Sequence, residues 1–165
     1  MRGPDALPIS VSAMGLGATI ALLSDVIFMA DTARIGDTHV KIGLVAGDGG
    51  AVIWPILIGP HRAKELLMSG ILVDGVKAGE MGLVNHCVPH EKLLDEAREH
   101  ALSLANGPQV AIRWTKMAIN QTLKQSIHHI LDFSAAAEHL SVNTEDMREA
   151  SLAFREKRTP KFKGR

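Results

Sequence analysis

At 165 residues, 46% apolar and 22% charged, the chain has the length and balance of one ordinary globular domain with a buried core. Its 18 basic residues equal its 18 acidic ones, so no net field draws it to nucleic acid or to an anionic membrane surface. A single cysteine, Cys87, excludes an internal disulfide and argues against a cysteine-based zinc site, and the cytoplasm is the expected compartment.

In chain order, "VSAMGLGATIALL" at 11–23 has a signal-like apolar texture, but it lacks a small-residue cleavage pattern and is too short to span a bilayer. "GLGATIALLSD" predicts a short helix entered through glycines and ended near Ser24–Asp25. "VIFMA" at 26–30 predicts a buried strand, and "ARIG" at 33–36 a second one after a turn. "GDGG" opens an apolar helix over 50–58, with Pro55 inside it. "PHRAKELLMSG" starts another helix at Pro60 and stops it at Gly70. A turn of helix in "VKAGEMG" and a strand in "LVNHCV" follow.

From Pro89 the texture becomes helical, with about four helices expected. The first places Leu93, Leu94, Ala97, Ala101 and Leu104 on one face and ends in a left-handed cap at Asn106–Gly107. The next begins at Pro108, with Val110, Met117 and Leu123 in its apolar pattern, and "SIHHILDFSAAAEHLSV" continues it. Thr144 caps the last, with acids in its first turn. The tail "TPKFKGR" is short and basic.

Few residues carry chemistry. The N–H groups of Leu16 and Gly17, at a helix start entered through "GLG", are preset donors for an anion or a developing oxyanion, though such glycines also serve plain packing. Asp48 reads either as the cap of its helix or as a general acid or base facing a pocket. His39 reads either as structural or as a proton-transfer group suited to neutral pH. The eight histidines show no metal-ligand spacing, and His128 and His129 are adjacent, so no metal is expected. Cys87 has no activating base nearby in sequence and reads as an inert thiol. Trp54 and Trp114 read as core or interface residues.

The order of the pieces says more. "GLGATIALLSDVIFMADTARIG", "KIGLVAGDGGAVIWPILIGPHRAKELLMSG", "AGEMGLVNHCVP" and "FREKRTPKFKGR" together resemble the enoyl-CoA hydratase/isomerase (crotonase) family, from about Val11 to the C-terminus. The resemblance implies an α/β fold: an incomplete spiral of ββα units over 11–88, then a helical trimerisation region over 89–165. It implies an acyl-CoA substrate, with coenzyme A entering as part of that substrate and no separate cofactor, in a homo-trimer or hexamer. It assigns Leu16 N–H to a thioester oxyanion. Hydratases of the family carry two glutamates, and at the corresponding positions this chain has Thr19 and His39. Asp48 is then the preferred acid/base, with His39 second, while Lys157 and Arg158 are candidates to reach coenzyme A in a neighbouring subunit.

Family members are longer at the N-terminus, where a second oxyanion N–H resides. "MRGPDALPIS" at 1–10 reads as a leader foreign to the family, as in a truncated reading frame. Two further readings stay open: an inactive assembly subunit of the same fold, and a hydrolase acting on a thioester or a carbon–carbon bond.

Overall fold

The computed structural model describes residues 3–165, so Met1 and Arg2 of the expected leader lie outside it. Two small sheets form the core. Strands β1 (Ala6–Ile9), β3 (Val26–Ala30) and β6 (His86–Val88) make one, in the order β1-β3-β6, with both pairings parallel. Strands β2 (Ser12–Met14), β4 (Arg34–Gly36) and β5 (Val73–Asp74) make the other, in which β2 lies parallel and β5 antiparallel to β4.

"VIFMA" is a central strand covered on both faces, which is why its apolar run is continuous and not alternating. Ala6–Ile9, within the stretch read as a leader, registers residue for residue with Val26–Met29. Pro8 is tolerated there because β1 is an edge strand. Strands β2 and β5 are too short to leave a period in the sequence, and neither was legible beforehand.

Helix α1 (Leu16–Leu22) follows β2 directly, with Gly15 at φ 52 as its first cap and no side chain bonded to its start. Helix α2 (Gly50–Ser69) is two helices in one span, broken at Gly59, whose φ of 78 and ψ of 159 are not helical. That break, followed by Pro60, is the boundary the sequence predicts, and Gly70 closes the second part in the left-handed region. Helix α3 (Gly75–Glu80) is capped by Asp74, whose carboxylate accepts from Lys77 N–H at 2.9 Å.

Three helices complete the chain: α4 (Leu93–Ala105), α5 (Gln109–Val142) and α6 (Glu145–Arg155). The two segments expected between Pro108 and Val142 are one continuous helix. The expected left-handed end of α4 is absent: Asn106 is right-handed, at φ −89 and ψ −3. The Gln109 side-chain amide instead donates to the carbonyls of Leu104 and Ala105 at 2.7 and 2.9 Å, so no left-handed residue is needed to satisfy them. Gly107 has another use, since a Cβ there would meet Ile112 Cδ1 at 2.8 Å.

On α4 only Leu93 and Ala97 of the expected face are buried, whereas Leu94 is exposed; Val110 on α5 is exposed as well. Thr144 caps α6 as expected, accepting from Met147 N–H at 3.2 Å. The core holds Met29, Ala30, Ile35, Trp54 and Leu83. Cys87 is half-buried in β6, where burial first, then Asp31 and Asp74, push its thiol up, in keeping with an inert role. Among the described residues no helix is long and apolar enough to cross a membrane.

Candidate active site

Where β4 ends, the chain turns through Asp37 into a 3-10 turn at His39–Ile42 and then a glycine-rich loop leading to α2. This path brings His39 and Asp48 together. The His39 Nε2 lies 3.6 Å from Asp48 Oδ2, too far for a hydrogen bond and close enough for one after a small approach. The ring also rests against the start of α1, because a Cβ added at Gly15 would stand 3.4 Å from His39 Cε1. Glycine is favoured at position 15 by its positive φ, while the imidazole beside it leaves room for a Cβ at ordinary contact distance.

Asp48 belongs partly to each of its two expected roles. Its Oδ1 accepts from Gly50 N–H at 3.3 Å, a long capping contact, and from the Thr19 hydroxyl at 3.1 Å. Its Oδ2 is buried, turned toward His39, and has no hydrogen-bond partner among the described residues. The formal helix cap is Gly49, at φ 120, not Asp48. Thr19 and His39, the two positions at which glutamate was expected by resemblance, thus both face one carboxylate.

Two members of the cluster went unnoticed in the sequence. Asp37, 1% exposed, accepts through Oδ1 from His39 backbone N–H at 3.0 Å and pairs with His39 Nδ1 at 2.7 Å. An aspartate two residues before the histidine is the only local signal for it. Glu138, near the C-terminal end of α5, places Oε1 4.0 Å from His39 Nε2, and nothing in the sequence marks it. The hydrogen bond to Asp37, first, holds the imidazole above its ordinary 6.5; burial opposes this, and the charges of Asp37, Asp48 and Glu138 reinforce it.

Asp37, His39 and Asp48 present ligand atoms within 4.8 Å of one another. Asp37 Oδ1 and His39 Nδ1 are spent on each other, which leaves Asp37 Oδ2 and Asp48 Oδ2 without a hydrogen-bond partner among the described residues. The loop is held from outside by α5: the buried Ser134 hydroxyl donates to Gly47 carbonyl at 3.0 Å. A Cβ at Gly47 would meet Ser134 carbonyl at 2.3 Å, so only glycine fits there.

Leu16 and Gly17 lie at the exposed start of α1, and a Cβ built on Gly17 meets nothing within 4 Å. Protein packing does not demand glycine there. Lys157 and Arg158 are remote from the cluster in their bonding: Arg158 is paired with Glu149 and Glu156, and Lys157, at φ 54, turns the chain after α6. An apolar cavity of about 460 Å³ between α1, α2, α4 and α5 includes Leu22, Ile53, Leu104 and Ile119 in its lining and none of the cluster residues.

The enoyl-CoA hydratase/isomerase family profile matches residues 9–165. A probable enoyl-CoA hydratase of Mycobacterium bovis is 34% identical over 98% of this chain and 63% of its own length. Mouse mitochondrial methylglutaconyl-CoA hydratase is 36% identical over 92% of this chain and 50% of its own. Among solved structures, an enoyl-CoA hydratase from Mycobacterium avium subsp. paratuberculosis superposes with a TM-score of 0.91 at 27% identity, covering 97% of this chain and 65% of that one. The chain therefore spans between half and two thirds of the length of these relatives. With the order of its strands and helices and the profile match in agreement, the chain belongs to the enoyl-CoA hydratase/isomerase family.

Proposed function

We propose that this chain is the C-terminal portion of an enzyme that acts on acyl-CoA thioesters as a lyase or isomerase. Asp48 and His39 transfer the protons, and Leu16 N–H, with Gly17 N–H beside it, steadies the thioester oxyanion. One observation carries the reading: Thr19 and His39, standing where hydratases of the family hold glutamates, converge on the single carboxylate of Asp48. A carboxylate and an imidazole side by side divide the work of two glutamates. One accepts the proton that leaves water or the acyl chain, and the other delivers a proton to carbon.

The start of α1, with no side chain bonded to it and with space over Gly17, supports the oxyanion role. Coenzyme A would be met by Lys157, and by Arg158 only if that residue leaves Glu149. Assembly as a homo-trimer or hexamer through α5 and α6 is supported by exposed apolar side chains there, with Phe133 77% and Phe154 82% exposed.

Turnover of a panel of 2-enoyl-CoA thioesters, alongside Asp48→Ala, tests the reading. The variant is expected to lose roughly 10²- to 10⁴-fold in kcat with its folding retained. A folded Asp48→Ala protein as active as the parent would refute the role of Asp48. A second reading, an assembly subunit without turnover, draws on the same exposed face of α5 and α6; it predicts association with full-length relatives and no turnover of any thioester.

A further inference from the structure

Asp37 has no part in the proton transfer proposed above, yet it is the most buried ionisable side chain of the cluster. A buried carboxylate is costly unless its oxygens are bonded, and only Oδ1 is; Oδ2 has no partner among the described residues. The fold also makes room for it. A Cβ at Gly50, the first residue of α2, would come within 2.5 Å of Asp37 Oδ2.

What this carboxylate holds is His39, at two points, the backbone N–H at 3.0 Å and ring Nδ1 at 2.7 Å. A carboxylate only accepts hydrogen bonds, so Nδ1 must carry the hydrogen. In the neutral ring Nε2 is then the atom with the free electron pair. Nε2 is also the atom that faces Asp48 Oδ2 at 3.6 Å and Glu138 Oε1 at 4.0 Å.

We propose that Asp37 is a positioning residue: it keeps the His39 hydrogen on Nδ1 and turns Nε2 toward Asp48, so that Nε2 is the atom that exchanges protons. The proposal rests on the proton-transfer reading of His39 and adds to it which nitrogen acts and what sets it. A purely structural Asp37, closing the turn through the backbone N–H of His39 alone, would leave the ring free to take either tautomer. The groups facing the ring are Asp37 from the end of β4, Asp48 from the loop before α2 and Glu138 from α5.

Nitrogen NMR of His39 across pH, in the full chain and in Asp37→Asn, separates these roles, with the His39 signal assigned by its loss in His39→Gln. The neutral wild-type ring is expected to carry hydrogen on Nδ1 and to titrate above 6.5. Asp37→Asn should lower that midpoint by about one unit and admit the Nε2–H form. Asp48→Asn should lower the midpoint and leave the tautomer unchanged.

A wild-type neutral ring protonated at Nε2 would overturn the proposal. So would a folded Asp37→Asn protein with unchanged midpoint and tautomer. Should that variant not fold, the wild-type tautomer decides alone. The readout needs no turnover: activity that survives both Asp48→Ala and His39→Ala would end the proton-transfer reading and leave the tautomer result standing.

Discussion

Gly17 separates a packing role from a functional one. Nothing stands within 4 Å of a Cβ there, and the residue lies inside a helix, where alanine is favoured over glycine by up to about 1 kcal/mol. Gly17→Ala is therefore expected to keep or raise the melting temperature. If the α1 start receives a thioester oxygen, the added methyl should still cut turnover by roughly ten-fold, short of the roughly 10²-fold that losing a donor outright costs. Melting and kinetics on one preparation check both halves.

His39 gives a pH signature. Because its folded value lies above 6.5, the imidazolium stabilises the fold fully below that value, and the contribution fades as pH rises through the folded one. His39→Gln should accordingly cost more stability near about pH 5.5 than near about pH 9 in denaturant titrations. At this scale His39, Asp48 and Thr19 were legible because each sits in a segment with a family counterpart. Asp37 left only its spacing, and Glu138 only a place in a long helix, since a contact from α5 across to the loop has no local period.

Elements hold the site together from outside. The glycine-rich loop is fixed to α5 by Ser134 and by the close approach at Gly47. Gly47→Ala forces backbone apart, at a cost of about 1–3 kcal/mol, and should lower turnover several-fold by shifting Asp48; thermal unfolding and kinetics read the two effects. The tail is fastened separately. Glu149 pairs with Arg158 and accepts from Lys161 N–H at 2.8 Å, and these partners hold its carboxyl down to about 2. Glu149→Gln should loosen residues 158–162, seen as several-fold faster tryptic cleavage after Lys161 with the rest of the chain intact, because Asp146 still accepts from the Lys163 and Gly164 N–H groups. Strand β3, the break at Gly59 and the Thr144 cap were legible because each follows from local chemistry. The end of α4 was not, because a glutamine three residues beyond Asn106 took over the task of a left-handed cap.

Across the whole molecule, apolar surface is unevenly covered. Val11, Met14, Leu16 and Ile20 lie exposed around β2 and α1, near the free edge of β1, and the faces of α5 and α6 add Trp114, Phe133 and Phe154. Such surface predicts self-association, so light scattering should find a trimer or larger species, and a monomer at high concentration would count against assembly through these helices. The sequence showed that the second half is helical but not which side of α5 would be covered, because its apolar residues are spread around the helix.

The most direct test of the central claim is exchange of the acyl-CoA α-hydrogen with heavy water, followed by proton NMR, for the parent chain and for Asp48→Ala. Exchange by the parent that is lost in a folded Asp48→Ala protein is the predicted result. Equal exchange by both would contradict the assignment of proton transfer to Asp48 and His39.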